Sequence, residues 1–166
     1  MPSSLGSWRA KTSSSFSTPP VGSSRPIEDV FALVSDPLQF PRWNSAVRTV
    51  HLTSGRTGEL DSTYSIGREL PTGGAENELE VFARNHPSEF CIRTTSGATP
   101  FVYRYRFASE RGATVVRLDA KVELPGVAAV LGPLAARGVR RGVNANFAAL
   151  KRILEEAAGD TGSSFA

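Results

Sequence analysis

The feature of the sequence that most restricts its fold is a run of six strand-like segments in the middle of the chain. In each segment β-branched or aromatic residues occur among polar ones, and a turn sequence with glycine, proline, asparagine or serine follows. Short strands with turn residues at regular spacing are typical of an antiparallel meander. The predicted strands are residues 47–53, 63–70, 76–84, 89–95, 101–109 and 114–124.

The alternation within these segments predicts a sheet with one wet face and one dry face. In the fifth segment Phe101, Tyr103 and Tyr105 alternate with Arg104 and Arg106. Successive side chains of a strand point to opposite faces, so the aromatic rings share one face and the arginines share the other. The dry face therefore requires a cover of other apolar residues.

Helices are predicted on both sides of the strand run. Proline is favoured in the first turn of a helix, so Pro26 is predicted to begin one. The residue before a proline avoids helical conformation, so this helix is predicted to end before Pro37. A second short helix or turn covers residues 38–43. A long helix over residues 133–158 covers the dry face with an apolar stripe at helical spacing. The stripe consists of Val139, Val143, Phe147, Leu150 and Leu154.

Two glycines, Gly138 and Gly142, fall inside the predicted C-terminal helix beside the apolar stripe. A glycine within a helix costs about 1 kcal/mol relative to alanine, so the pair requires a reason. Either the helix backbone approaches the sheet closely, or the glycines leave space for another molecule. Close approach is the usual reason for glycine in such a place, and we favour it.

Charge and composition exclude several classes of function. The net charge of +3 comes from residues 1–25, which hold Arg9, Lys11 and Arg25 and no acid, whereas residues 26–166 carry 16 basic and 16 acidic side chains. A nucleic-acid-binding domain carries a basic face within its fold, so none is expected here. With one cysteine, two histidines and no long apolar run, we expect no disulfide, metal, other cofactor or transmembrane segment.

A local exception to the charge balance is a basic run on the C-terminal helix. It has two interpretations, a contact with an anionic lipid or partner, or a solvated helix face whose charge is offset by Glu155 and Glu156. We favour the solvated face. The run contains Arg137, Arg140, Arg141, Lys151 and Arg152.

Residues 1–24 form a tail with nine serines and three prolines. Such a composition buries too little apolar surface to order itself, so the tail is predicted to be disordered or a degenerate first strand. Its acid-free start loosely resembles an organelle transit peptide, and we favour the disordered tail. The folded domain is predicted over residues 25–158, and residues 159–166 are predicted to fray.

Four segments, residues 25–31, 35–43, 96–101 and 150–155, resemble sequences of the START/Bet v 1-like superfamily (SRPBCC). The resemblance covers about residues 25–156 and is to the bacterial polyketide cyclase/dehydrase and lipid-transport branch. It implies an α+β helix-grip fold. In this fold a curved antiparallel sheet of six to seven strands wraps around a long C-terminal helix, with two short helices after the first strand and an elongated cavity between sheet and helix.

The chain departs from the family pattern at its start. Members begin with a clean edge strand before the first helix, whereas residues 13–22 here contain Pro19 and Pro20. Proline cannot donate a ladder hydrogen bond, so the first strand is expected to be short, irregular or absent. Such an edge is open to pairing with another chain.

The resemblance predicts an internal binding site on the dry face, of mixed apolar and polar character. A mostly apolar pocket with a few polar groups is how proteins usually hold small molecules. The alternative is that these side chains only fill the core. The predicted lining is Trp43, Tyr64, Ile66, Leu79, Val81, Phe90, Ile92, Phe101, Tyr103, Tyr105 and Asn146.

Candidate catalytic groups are few, because no nucleophile elbow, phosphate loop or paired-carboxylate motif occurs. The weak candidates are Arg68, Tyr64, Tyr103 and, less directly, Arg93. An inward Arg68 would polarise a carbonyl or hold a carboxylate. The alternative, which we favour, is that Arg68 reaches solvent at the strand end, since arginine is rarely buried without a partner.

Three functions remain open. The first is a soluble, cytoplasmic, monomeric or homodimeric protein that binds a hydrophobic small molecule (a lipid, polyketide or quinone-like compound) without chemistry. The second is an aromatic polyketide cyclase or dehydratase, acting by substrate orientation and acid or base assistance. The third is a partner-binding protein of the ribosome-associated or ubiquinone-binding branch, which predicts an exposed apolar patch.

Overall fold

The computed structural model describes residues 13–70, 73–123 and 132–160. Eight strands and a long helix dominate these residues, with two short helices and a 3₁₀ turn between the second and third strands. The elements are β1 (Ser13–Ser17), β2 (Val21–Ser23), α1 (Ile27–Val34), a 3₁₀ turn (Pro37–Gln39), α2 (Phe40–Trp43), β3 (Val47–Ser54), β4 (Thr63–Leu70), β5 (Gly73–Asn85), β6 (Glu89–Gly97), β7 (Phe101–Glu110), β8 (Ala113–Glu123) and α3 (Gly132–Asp160).

All eight strands belong to one antiparallel sheet, in the order β1–β8–β7–β6–β5–β4–β3, with β2 also paired to β8. Each of the six segments identified from alternation and turn residues is one of the strands β3 to β8. From β3 to β8 consecutive strands are neighbours, as expected of a meander. The α+β architecture, a sheet followed by a long C-terminal helix, is therefore confirmed.

The first strand is present but broken. β1 pairs with Asp119–Glu123 and β2 pairs with Thr114–Val116, so both pieces lie along β8. Pro19 and Pro20 lie between them, where the missing amide protons interrupt the ladder. Thr18 bridges the gap, since its N–H donates to the Leu118 carbonyl (2.9 Å) and its Oγ1 accepts from the Leu118 N–H (3.2 Å). Residues 13–23 of the predicted tail 1–24 thus form an irregular edge strand, and the rest of that tail, residues 1–12, lies outside the described residues.

The core lies between the inner face of the sheet and α3. Phe147, Leu150 and Leu154 of the predicted helical stripe are at most 4 % exposed, and Val143 is buried at the same face. Helix α3 extends from residue 132 to 160, slightly beyond the predicted 133–158. The predicted frayed end, 159–166, begins inside this helix, and residues 161–166 lie outside the described part of the chain.

Asp36 fixes the passage from α1 to the strands. Its carboxylate caps the 3₁₀ turn by accepting from the Leu38 N–H (3.0 Å) and also accepts from Thr57 Oγ1 (2.8 Å) in the β3–β4 loop. This capping explains why the chain turns at the Asp36-Pro37 pair and sends α2 toward α3. Trp43, the last residue of α2, is placed over the inner face of the sheet in this way.

Candidate functional site

A cavity of about 330 Å³ lies between α3 and the inner face of the sheet, next to the turn from α2 to β3. This volume is at the small end of the range for pockets that hold small molecules. Its walls come from every layer of the fold. The lining is Trp43, Asn44, Ser45, Ala46, Arg68, Glu69, Leu70, Tyr103, Tyr105, Leu118, Gly138, Val139, Gly142, Val143, Asn146 and Phe147.

Arg68 points into the fold, so the expectation that it reaches solvent is wrong. It continues the inward face of β4 after Tyr64 and Ile66, is only partly exposed, and lines the cavity. Its Cζ lies 5.1 Å from the centre of the Phe101 ring, a cation–π contact that compensates part of the lost hydration. Burial lowers the pKa of the guanidinium, and the nearby Tyr103 opposes that shift.

Tyr103 and Tyr105 bring two phenols to the same wall. Their ring centres are 6.3 Å apart, and Tyr105 also packs edge-on against Trp43 at 6.3 Å. Burial raises the pKa of Tyr103, which Arg68 partly counteracts, and burial raises the pKa of Tyr105 well above its usual value. Both phenols are therefore neutral at physiological pH and available as hydrogen-bond donors.

Three aromatic groups at the cavity have polar atoms without protein partners among the described residues. Tyr105 is 1 % exposed, and neither its hydroxyl nor that of Tyr103 makes a hydrogen bond there. Trp43 is 3 % exposed, and its Nε1 is buried without an acceptor. Buried polar groups are normally satisfied. Single unpartnered atoms also occur elsewhere, on Arg25, Asn77 and Arg84, whereas at the cavity several such groups lie around one open space.

Asn146, which was predicted to contact a ligand, is used by the protein itself. Its Oδ1 accepts from Ser45 N–H (3.0 Å) and from Ser45 Oγ (3.2 Å), and its Nδ2 donates to Asn44 Oδ1 (3.0 Å). The side chain thus fastens α3 to the α2–β3 turn at the edge of the cavity. Asn146 lines the space, but its polar atoms hold the wall in place.

A second space of about 10 Å³ adjoins the first, because Asn44, Arg68, Tyr103 and Tyr105 line both. It is too small for a ligand, and it reaches three more of the predicted lining residues, Ile66, Ile92 and Phe101. These three side chains are at most 5 % exposed. They form the wall behind the polar groups of the main cavity.

Four predicted lining residues, Tyr64, Leu79, Val81 and Phe90, are fully buried in the packed core and do not line the cavity. Tyr64 shows why: its hydroxyl accepts from the Gly58 N–H at 2.7 Å and lies 3.2 Å from Ser62 Oγ, so it anchors the β3–β4 loop. Alternation placed all four on the correct face of the sheet. The cavity, however, occupies only one end of that face.

Gly138 and Gly142 of α3 adjoin open space, so the interpretation that they allow a close approach of the helix to the sheet is wrong. A Cβ built on Gly138 or Gly142 meets nothing within 4 Å, and both residues line the cavity. The alternative prediction, that they leave space, describes the structure. Leu118, Val139, Val143 and Phe147 also line the cavity and were predicted only as core.

The remaining candidates lie away from the cavity. Arg93 is half exposed, pairs with Glu80 and lies with its Cζ 5.1 Å from the Phe82 ring centre on the outer face. Burial raises the pKa of the Cys91 thiol, which lowers its reactivity.

Among the described residues, His, Cys, Asp and Glu form no cluster suited to a metal ion. Within that same part of the chain, no helix is long and apolar enough to cross a membrane.

The basic run on α3 is exposed, as expected, but its charge is not offset uniformly. Glu155 and Glu156 lie 3.6 Å and 3.8 Å from Lys151 and Arg152, so these acids are already paired. Arg137, Arg140 and Arg141 have no acidic partner among the described residues. Large exposed apolar side chains occur singly in the described fold, on four different elements and in the β3–β4 loop, as Leu38, Leu52, Leu60, Val102 and Leu134.

Residues 18–155 match the family of polyketide cyclases/dehydrases and lipid-transport proteins, so the chain belongs to that family. A comparison with curated proteins gives no match.

Solved structures with low sequence identity share the fold. A START superfamily protein from Mycobacterium smegmatis superposes with a TM-score of 0.71 at 16% identity, covering 86% of this chain and 98% of that one. The di-domain ARO/CYC StfQ from the steffimycin biosynthetic pathway gives 0.69 at 15% identity, covering 89% and 52%. Ara h 8.0201 gives 0.64 at 11% identity, covering 87% and 99%. The predicted helix-grip fold is thereby confirmed.

Proposed function

We propose that this protein binds an apolar small molecule in the cavity between α3 and the sheet. The observation that carries the proposal is that Trp43 Nε1, Arg68 and the Tyr105 hydroxyl, which have no hydrogen-bond partner among the described residues, lie around one cavity with a mixed polar and apolar wall. A core that only supports the fold satisfies most such groups internally and does not gather several unpartnered ones around one open space. A ligand that supplies acceptors would satisfy them and fill the open space beside Gly138 and Gly142.

The ligand class proposed at this level is broad: a lipid, a polyketide or a quinone-like compound. The family includes lipid transport by description, and the fold is shared with a START superfamily protein. Apolar contact with Val139, Val143 and Phe147 would provide most of the binding free energy, at about 25 cal/mol per Å² of apolar surface buried.

Blocking the cavity from α3 tests this proposal. Gly142 lines the cavity, so the new ring of Gly142→Phe is expected to occupy part of it. The fold is expected to remain intact, since a Cβ at this position meets no atom within 4 Å. The probe is the neutral dye N-phenyl-1-naphthylamine, whose fluorescence rises in apolar surroundings. We expect Gly142→Phe to weaken dye binding at least tenfold. Ala148→Phe, at an exposed site of the same helix, is the matched control.

Equal dye affinity in the wild type, Gly142→Phe and Ala148→Phe would reject the cavity as the binding site. Native mass spectrometry of freshly purified wild-type protein, followed by organic extraction, then identifies any natural ligand. A stoichiometric compound that is lost in Gly142→Phe but retained in Ala148→Phe would support the proposal and define the ligand's chemical class.

A second candidate is an aromatic polyketide cyclase or dehydratase, favoured by the placement of Arg68 beside Tyr103 at the cavity. A guanidinium and a neutral phenol would polarise a ketone and stabilise the enolate formed from it. The solved structure of StfQ shares the fold. Turnover of a poly-β-ketone thioester analogue that is lost in Tyr103→Phe, with unchanged dye binding, would support this candidate over a binding protein.

A further inference from the structure

Arg68 differs from the other arginines of the central strands in having no acidic partner. Every arginine of β5 to β8 pairs with a carboxylate. Arg68 makes no ion pair or hydrogen bond with any residue in the described ranges, and its Nη1 is buried. The pairs are Arg84 with Glu59, Arg93 with Glu80, Arg104 with Glu89, Arg106 with Asp119 and Arg117 with Glu110.

The surroundings of Arg68 supply no negative charge. Glu69, its neighbour in the chain, is the one acidic residue among those that line the cavity, but it is exposed, and alternation along β4 directs its carboxylate away from the face that holds the Arg68 guanidinium. Residues 1–12, 71–72, 124–131 and 161–166, which lie outside the described ranges, contain no aspartate or glutamate in their sequences. The ring of Phe101 offsets part of the charge but accepts few of the N–H groups. A largely desolvated cation is costly unless an anion pairs with it.

The other free polar atoms at the cavity also favour an acceptor. Trp43 Nε1–H can only donate, and the neutral phenols of Tyr103 and Tyr105 can donate. The two amide oxygens at the cavity edge, on Asn44 and Asn146, already accept hydrogen bonds from the protein. A ligand group that fits this wall therefore carries several acceptors and a negative charge.

We propose that the cavity selects an amphipathic organic anion, with a carboxylate that pairs with Arg68 and an apolar body that packs against α3. A planar guanidinium donates to both carboxylate oxygens at once, which gives the pair its directionality. A neutral lipid, ester or sterol would leave the Arg68 charge uncompensated. This inference rests on the proposed function, because it names the ligand class of the same cavity.

Displacement of N-phenyl-1-naphthylamine by decanoate and by methyl decanoate at neutral pH tests the inference. The two displacers share an apolar chain and two oxygens, so they differ mainly in charge. We expect the wild type to bind decanoate at least tenfold more tightly than the ester. Arg68→Met, which keeps the length of the side chain without its charge, is expected to abolish that difference, measured relative to the variant's own dye affinity.

Arg48→Met is the matched control, since Arg48 is exposed on β3 and the same charge is removed from the surface. The preference for decanoate is expected to persist in this variant and in 0.5 M NaCl, which screens exposed charges more than buried ones. Equal affinity for both displacers in the wild type, or a preference that survives in Arg68→Met, overturns the inference while cavity binding stands. Absence of any displaceable dye binding in the wild type rejects the proposed function and the inference together.

Discussion

The two ends of the inner face of the sheet are equally buried but differ in how their polar groups are satisfied. At one end Tyr64 is fully buried, and its hydroxyl accepts a hydrogen bond from Gly58 N–H. At the other end Tyr105 is 1 % exposed, and its hydroxyl has no partner in the described part of the chain. Burial alone therefore does not separate core from candidate site. For these two tyrosines the presence or absence of an internal hydrogen-bond partner makes the distinction.

The two ends also differ in how α3 meets the sheet. Leu150 and Leu154 are at most 4 % exposed and close the packed end of the helix, whereas Gly138 and Gly142 leave space at the cavity end. One helix thus stabilises the fold with its C-terminal half and forms a wall of the cavity with its N-terminal half. If this division is correct, matched substitutions at the two ends will have different effects on stability and binding.

The largest contrast is expected between two leucine truncations. Leu79 is fully buried outside the cavity, so Leu79→Ala leaves a new void and is expected to cost about 3–5 kcal/mol of unfolding free energy. Leu118 is 2 % exposed and lines the cavity, so Leu118→Ala enlarges an existing space and is expected to cost about 2–3 kcal/mol. Urea unfolding of both variants measures the difference, and equal losses would contradict the division into two ends.

A smaller contrast is expected between two identical changes at tyrosines. Tyr64→Phe leaves the buried Gly58 N–H without its acceptor, which is expected to cost about 1–3 kcal/mol. Tyr105→Phe removes a hydroxyl that has no partner among the described residues and is expected to leave stability unchanged or raise it. Thermal unfolding gives both values. A clear destabilisation by Tyr105→Phe would show that its hydroxyl is satisfied within the protein.

The fold was largely predictable from the sequence, because short-range sequence patterns indicate most of its strands and helices. Alternation and turn residues locate β3 to β8, and the apolar stripe locates α3. The broken first strand was predictable only as an irregularity, since Pro19 and Pro20 indicate an interrupted ladder. That β1 and β2 both pair with β8 depends on contacts about a hundred residues apart, which no local pattern records.

The candidate site was predictable only in part. Whether a side chain lines the cavity depends on its position along the inner face of the sheet, and alternation identifies only the face. Alternation placed Tyr64 and Tyr105 on the same side of the sheet, and nothing local distinguishes the tyrosine that anchors a loop from the one at the cavity. The direction of Arg68 was missed because a general preference for exposed arginine outweighed its period-two register with Ile66. The space beside Gly138 and Gly142 was missed because the usual role of glycine, close approach of two backbones, was preferred over the alternative.

The smallest contrast concerns the response to alkaline pH. Burial raises the pKa of Tyr105 well above its value in the unfolded chain, which is about 10. Below that value both states hold the proton, so folding stability does not depend on it. Above it the unfolded state releases the proton first, and stability falls by about 1.4 kcal/mol per pH unit until the folded-state pKa is reached. Tyr105→Phe removes this contribution. Between pH 10 and 11 the unfolding free energy of the wild type is therefore expected to fall by about 1 kcal/mol more than that of Tyr105→Phe. Urea unfolding at a series of pH values provides the comparison, and parallel curves for the two proteins would mean that the Tyr105 phenol is exposed to solvent at the cavity instead of enclosed by its wall.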